Sequence, residues 1–126
     1  MTCSPSFTAF LHDQLRALGA VDIRRMFGGA GVYADGVMFG LVDEDVLYLK
    51  TDDETRSAFE AEGMEAFAYA TKDGRTTIMS YWRAPERLFD EPDEMLAWAR
   101  QALAVARKAG AKRKPKRFPA KRSRSA

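Results

Sequence analysis

Two Asp-Gly pairs place the strongest constraint on the fold of this chain. Asp35-Gly36 and Asp73-Gly74 each lie between runs of residues that alternate between apolar and polar. Asp and Gly tolerate the positive φ angles that a two-residue hairpin requires, so each pair predicts a tight hairpin. A hairpin joins antiparallel neighbours. The chain is therefore expected to build a mostly antiparallel sheet.

The order of helices and strands around these turns indicates the fold class. Apolar residues recur with helical spacing near both ends of the chain and briefly in its middle, which gives the order α-β-β-β-α-β-β-α. This order excludes a doubly wound parallel sheet and predicts an α+β fold with helices packed on the sheet. An N-cap at Ser4 begins the first helix, and a capping box of Thr51 and Glu54 begins the second. The expected helices cover 5–18, 51–62 and 93–109, and the expected strands cover 21–33, 37–42, 46–50, 67–69 and 76–82.

Three glycines, Gly28, Gly29 and Gly31, lie inside the first expected strand. We interpret them as a bend or bulge within one strand, because alternation resumes after them. The alternative is a phosphate cradle, in which glycine lets backbone N–H groups converge on an anion. A nucleotide-binding loop runs from a strand into a helix, whereas this segment leads into another strand. The bend is therefore the favoured interpretation.

The charge of the chain is divided unevenly. Residues 106–126 contain ten of the 20 basic residues and none of the 18 acidic ones, so the preceding residues carry a net charge of −8. Residues 110–126 have too few apolar side chains to fold, which predicts a domain over 1–109 and a disordered basic tail over 110–126. Such a tail is expected to bind nucleic-acid phosphates without reading sequence. The basic residues expected to do so are Arg107, Lys108, Lys112, Arg113, Lys114, Lys116, Arg117, Lys121, Arg122 and Arg124.

Several classes of protein are excluded by the residues that are scarce. One cysteine, Cys3, and one histidine, His12, cannot build a disulfide scaffold or a Cys/His zinc site, and no cofactor motif is present. No apolar run is long enough to span a membrane, and the first residues do not resemble a secretory signal, so a cytoplasmic location is expected. The acidic clusters at 43–45 and 90–94 suit a turn and a helix start, so no catalytic residue and no metal ligand is expected.

Two adjacent arginines precede the glycines. Arg24 and Arg25 lie on opposite faces of the expected strand, with Arg25 on the face of Ile23. Either arginine has a structural explanation, an ion pair with one of the many carboxylates, or a binding role, since Arg is frequent at functional contacts.

Aromatic residues recur along the expected strands and raise the possibility of stacking platforms for single-stranded nucleic acid. The acidic charge of the domain opposes that function, so packing is the favoured role for most of these rings. Tyr81 and Trp82 lie on opposite faces, so at least one is expected to be available to a partner. The rings concerned are Tyr33, Phe39, Tyr48, Tyr69, Tyr81 and Trp82.

The segment around the arginines and glycines resembles the N-terminal domain of the TfoX/Sxy family. Residues 47–50 and 80–82 continue the match, so that the resemblance covers roughly residues 7–106. The motif residues, which have either a structural or a partner-binding role, are Arg24, Arg25, Met26, Phe27, Gly28, Gly29, Gly31, Tyr33, Asp35 and Gly36.

The resemblance implies a compact α+β fold similar to the secretion-chaperone-like folds. Fuller members of the family are linked to the regulation of natural competence together with transcription machinery, and no catalytic residue is implied. Those members continue into a second, helical domain, and in this chain the basic tail is expected in its place.

Three hypotheses follow. The first is a non-enzymatic, cytoplasmic regulatory domain that contacts a protein, with a tail that contacts DNA or RNA. The second is a peptide-binding or homodimerising module whose tail affects only solubility. The third is an enzyme or small-ligand binder with Arg25 as an anion clamp.

Overall fold

The computed structural model of the chain describes residues 4–26 and 29–113, and the expected α+β fold is confirmed. Three helices pack on one antiparallel sheet of six strands. Short 3-10 helices follow the first helix (Arg16–Leu18) and precede the third (Glu86–Asp90). The helices are α1 (Pro5–Gln14), α2 (Arg56–Ala61) and α3 (Pro92–Arg113), and the strands are β1 (Val21–Met26), β2 (Gly29–Ala34), β3 (Val37–Asp43), β4 (Val46–Lys50), β5 (Ala66–Thr71) and β6 (Gly74–Arg83).

The sheet has the order β1-β2-β3-β4-β6-β5, so β1 and β5 are its edge strands. Helix α3 lies across β3 and β4, α1 packs beside β1, and α2 contacts β6. The buried side chains of the helices and one alternate set from the strands form a single cluster. Within 4–26 and 29–113, the three helices therefore lie on the same face of the sheet. The largest fully buried side chains of this core include Leu11, Phe39, Leu49, Phe59 and Met95.

The expected single strand over 21–33 is wrong, because the structure divides it into two. Strands β1 and β2 pair antiparallel, from Val21 opposite Ala34 to Met26 opposite Gly29. The chain therefore reverses between Met26 and Gly29, and the expectations for Phe27 and Gly28 lie outside the described residues. Apolar and polar side chains alternate in the same way whether one strand bulges or two strands are joined by a turn, so the sequence pattern could not separate these two cases. The observed order is α-β-β-β-β-α-β-β-α.

Tight turns join the central strands. Asp35 and Gly36 have φ angles of 52° and 79°, which confirms the expected hairpin between β2 and β3. Glu44 and Asp45 have φ angles of 52° and 59° between β3 and β4, a conformation that non-glycine residues adopt at a cost. The backbone N–H of Ser4 donates to Asp45 Oδ1 at 2.8 Å. This bond fixes the start of α1 to the turn.

The capping box expected at Thr51 and Glu54 is wrong, because α2 begins at Arg56 and its N-cap, Thr55, makes no side-chain capping hydrogen bond. A turn precedes the helix. Asp52 Oδ1 accepts a hydrogen bond from the Thr55 N–H at 2.9 Å, and the Thr55 hydroxyl accepts one from the Asp52 N–H at 3.0 Å. Thr51 is buried and donates to the Met79 carbonyl instead. The helix expected over 51–62 therefore begins five residues later than predicted, after a turn at residues 53–55.

The start of α1 agrees with the expectation from the sequence, whereas the end of α3 differs from it. Ser4 caps α1 as expected, since its hydroxyl accepts from the Phe7 N–H at 3.2 Å. Helix α3 runs to Arg113, beyond the expected end at Ala109, so Gly110 lies within the helix.

Arg87 connects α3 to the end of α2. Its guanidinium nitrogens lie 2.6 Å from Glu62 Oε2 and 2.8 Å from Glu94 Oε2. These hydrogen bonds lower the pKa of Glu94 to about 2 and hold the pKa of Glu62 below its ordinary value. The two elements are therefore fixed by charge-assisted, bidentate contacts.

Candidate interaction surface on the open face of the sheet

The face of the sheet opposite the helices carries a continuous group of aromatic and apolar side chains. We call this surface the open face. Strand pairing places Tyr33 opposite Met38, Leu41 opposite Tyr48 and Phe67 opposite Ile78 on it. Its members are Asp22, Arg24, Tyr33, Met38, Leu41, Asp43, Tyr48, Lys50, Phe67, Tyr69, Ile78, Tyr81 and Arg83.

Three motif residues, Arg24, Gly31 and Tyr33, lie at one end of the open face. The Tyr33 ring lies over Gly31, where an added Cβ would be 2.9 Å from both Tyr33 Cε1 and Met38 Sδ. The Arg24 guanidinium lies 4.8 Å from the centre of the Tyr33 ring and 3.3 Å from Asp22 Oδ2. Gly31 is thus needed for the close approach of two side chains, and Tyr33 presents its ring to an arginine.

A row of rings forms the other end of the open face. The Tyr48 and Phe67 rings meet edge to face with centroids 4.9 Å apart, and Phe67 stacks on Tyr69 at 5.8 Å. Tyr69 is 39% exposed. Tyr81 is buried, with Lys50 Nζ 5.1 Å from its ring centre. Tyr69 is thus the exposed ring of the row, and it is supported by the half-buried rings of Tyr48 and Phe67.

The charges on the open face are of both signs. Burial raises the pKa of Asp43, and burial together with the charge of Asp43 raises the pKa of Tyr48, so Tyr48 keeps its hydroxyl proton at neutral pH. Arg83 lies 3.4 Å from Glu86, in an arrangement like that of Arg24 with Asp22. The surface therefore combines rings with two arginine–carboxylate pairs, an arrangement that suits a protein partner.

The expected aromatic candidates divide between the two faces. Phe39 and Trp82 lie in the core, as packing predicts. Tyr33, Tyr48, Tyr69 and Tyr81 lie on the open face. Tyr81 and Trp82 point to opposite faces as expected, but the expectation that one of them is available to a partner is wrong, because both are buried. Sequence reasoning missed the apolar members Met38, Leu41 and Ile78. The register of the strands, which the sequence does not contain, is the signal that brings them together.

Arg25 lies on the helix side of β1, as expected, beside an open groove between α1 and β1 of about 740 Å³. The groove is also lined by His12, Asp13 and Arg16, and Asp13 lies 3.6 Å from Arg16. His12 Nε2 lies 2.9 Å from the Val21 carbonyl oxygen. The groove holds both signs of charge and is open to solvent, which does not suit an anion clamp.

The glycine segment does not form a phosphate cradle in the described residues. Gly29 and Gly31 lie within β2, which pairs with β1 on one side and β3 on the other. Their backbone groups are therefore directed along the sheet. An added Cβ at Gly29 would lie 2.2 Å from the Val42 carbonyl oxygen, so this glycine permits a close contact between β2 and β3.

The basic residues of the expected tail fall in two groups. Arg107 lies on α3, 3.0 Å from Asp35 Oδ2, and Lys108 is near enough to Asp52 to contribute to lowering the pKa of that carboxylate, after the hydrogen bonds from Thr55. Lys112 and Arg113 lie in the last turn of α3. The remaining residues, outside the described part of the chain, are Lys114, Lys116, Arg117, Lys121, Arg122 and Arg124.

Within the described residues, no three His, Cys, Asp or Glu side chains are grouped closely enough to hold a metal ion. Of the helices in the same part of the chain, none combines the length and the apolar composition of a membrane span.

Comparison with known proteins identifies the family of the chain. The family model of the TfoX N-terminal domain matches residues 13–106. The chain belongs to this family. The chain is also 30% identical over 93 residues to DNA transformation protein TfoX1 of Aliivibrio fischeri. That match covers 74% of this chain and 44% of the relative, so the chain spans less than half of the relative's length. The resemblance inferred from the motif is confirmed.

Proposed function

We propose that this chain is a non-enzymatic, cytoplasmic regulatory domain that binds another protein through the open face. The observation that carries the proposal is the row of rings at Tyr48, Phe67 and Tyr69, on a sheet face that none of the described helices covers. Exposed aromatic side chains on a rigid element are the usual anchors of protein interfaces. Family membership supports a regulatory role, and the relative's name, DNA transformation protein, supports a role in DNA uptake.

The charges of the open face favour a protein partner over a nucleic acid. A stacking platform for nucleic acid combines rings with cations that are available to phosphates. Here Arg24 and Arg83 lie beside Asp22 and Glu86, and Asp43 adds a further carboxylate. The partner that best fits the family is a component of the transcription machinery.

The test is the replacement of an exposed ring on the open face. Tyr69→Glu introduces a charge where Tyr69 is 39% exposed, and Phe10→Glu is the matched control because Phe10 is 43% exposed on α1, away from the open face. In a strain that lacks the gene, we expect Phe10→Glu to restore transformation frequency and Tyr69→Glu to fail. Equal restoration by both variants would refute the role of the open face. A deletion strain with the same transformation frequency as its parent would refute the role in DNA uptake.

The basic segment is proposed to add non-specific contact with nucleic acid. Arg107 pairs with Asp35, so the proposal assigns the contact chiefly to the six basic residues after Arg113. Neutralising ~6 phosphates gives a slope of about −5 for the logarithm of the affinity against the logarithm of the salt concentration. The measurement is a DNA-binding titration of the full chain and of a chain ending at Arg113. Equal affinities of the two proteins at every salt concentration would reject this part of the proposal.

A further inference from the structure

Strand β1 carries an unusual arrangement of charges for the edge of a sheet. Asp22 and Arg24 lie on either side of Ile23, and both project from the open face with side chains 68% and 60% exposed. An edge strand offers backbone N–H and C=O groups to any strand that can lie beside it. The other edge strand, β5, contains no charged residue.

The contact made by His12 shows which backbone groups of β1 face outward. His12 belongs to α1, and its Nε2 lies 2.9 Å from the Val21 carbonyl oxygen, so that carbonyl is directed away from β2. In an antiparallel pair, successive residues alternate between facing their partner and facing away. The N–H and C=O of Ile23, two residues later, are therefore also directed away from β2.

We propose that β1 pairs antiparallel with β1 of a second copy of this chain, with Ile23 at the two-fold axis. Ile23 then exchanges backbone hydrogen bonds with Ile23 of the second copy. Asp22 comes to lie opposite Arg24 of the second copy, and Arg24 opposite Asp22. Because Asp22 and Arg24 already lie 3.3 Å apart within each strand, the four side chains form a ring of alternating charge.

The charges select this register over its neighbours. Moving the axis by one residue toward the N-terminus places Asp22 opposite Asp22, and moving it toward the C-terminus places Arg24 opposite Arg24. Like charges directly opposite each other destabilise a strand pair. Self-complementarity about Ile23 is thus what commits the edge to a second copy.

The groove beside β1 provides room for this pairing on the helix side. In the proposed register, Val21 lies opposite Arg25 of the second copy. Because His12 already contacts the Val21 carbonyl oxygen, the exchange of backbone hydrogen bonds is centred on the Ile23 pair. The groove of about 740 Å³ between α1 and β1 lies at this position, and Asp13 is among its lining residues. The incoming Arg25 side chain therefore enters a groove in which Asp13 lies 3.6 Å from Arg16. The two sheets join as one sheet of twelve strands, and the two open faces become continuous.

The test is analytical ultracentrifugation of the full chain over a range of concentrations. We expect a monomer–dimer equilibrium in which Asp22→Arg and Arg24→Asp each raise the dissociation constant by about fivefold or more, because every reversal acts twice across the axis. The double variant Asp22→Arg/Arg24→Asp restores opposite charges and is expected to return the dissociation constant to near its original value. No partner protein or nucleic acid enters the measurement, so its outcome is independent of the proposed function.

Glu86→Arg is the matched control, because it makes the same change of charge in the exposed pair with Arg83 and is expected to leave the dissociation constant unchanged. Circular dichroism checks that each variant keeps its fold. A chain that is monomeric at every concentration, a dimer unaffected by either single reversal, or a double variant as weak as the single ones would overturn the proposal.

Discussion

Gly29 gives the sharpest test of the packing that supports the open face. The site of its missing Cβ lies 2.2 Å from the Val42 carbonyl oxygen, whereas real contacts of this kind are essentially never under 3.0 Å. In Gly29→Ala, the opposing atom belongs to the backbone of β3, so no side chain can rotate away. The two strands must separate by roughly 0.8 Å, the difference between these two distances.

The expected loss of unfolding free energy is the cost of overpacking the folded structure, less the stability gained because alanine restricts the unfolded chain more than glycine does. Overpacking costs about 1–3 kcal/mol, and the gain from replacing glycine by alanine is about 0.4–1 kcal/mol. A backbone clash belongs at the upper end of the first range, which leaves a net destabilisation of about 2 kcal/mol. For a domain of this size, that corresponds to a fall of about 10 °C in the melting temperature.

Urea denaturation measures this difference, with an unchanged m-value as the check that both proteins unfold alike. Gly31→Ala serves as the near control, because its new Cβ would meet the flexible ends of Met38 and Tyr33 at 2.9 Å. Its cost is expected to be under about 1.5 kcal/mol. Gly110→Ala is the far control, since nothing lies within 4 Å of its position in α3. It is expected to stabilise the protein by up to about 1 kcal/mol. A Gly29→Ala protein as stable as the unaltered chain would refute the close approach of β2 and β3.

Three further outcomes are expected. Phe59→Ala removes a core ring that meets Trp98 edge to face at 4.8 Å, so it should cost about 3–5 kcal/mol in chemical denaturation and alter the tryptophan emission; a cost below about 1 kcal/mol would contradict the packing. The lowered pKa of Glu94, about 2 against 4.5, adds stability that is present above pH 4.5 and lost as the pH falls toward 2; Arg87→Met should flatten that acid-side slope, and an unchanged slope would contradict the ion pair. The raised pKa of Tyr48 adds stability that is present below pH 10 and lost as the pH rises through its folded pKa; tyrosinate absorbance should show one ring ionising late, and Tyr48→Phe should remove it.

The sequence was informative about the fold wherever a local chemical signal determined the structure. The positive φ angles at Asp35 and Gly36 and the cap at Ser4 follow from the residues themselves. The reversal between β1 and β2 has no such signal, because its strands alternate in the same way on both sides of the glycines. Thr51 does not cap a helix because it is buried and donates to the Met79 carbonyl of β6, a tertiary contact that the sequence pattern does not contain.

The open face was less accessible to sequence reasoning. Alternation separated the two faces of each strand, which placed Tyr81 and Trp82 correctly on opposite sides. It could not show that Tyr48 lies beside Phe67, since that contact depends on the insertion of β6 between β4 and β5. The acidic net charge of the domain predicts repulsion of phosphates, but a net charge does not show that Arg24 and Arg83 lie beside carboxylates on this surface.

The motif of the TfoX N-terminal domain combines residues that support the fold with residues that present a surface, and variants can separate the two roles. Gly29 acts on the distance between strands, whereas Arg24 is exposed and lies over the Tyr33 ring. Arg24→Gln should therefore change stability by less than about 0.5 kcal/mol, as is usual for surface positions. It also removes a charge from the open face and from the edge of β1. A loss of binding or self-association at unchanged stability assigns Arg24 to the surface, whereas a parallel loss of stability would assign it, like Gly29, to the fold.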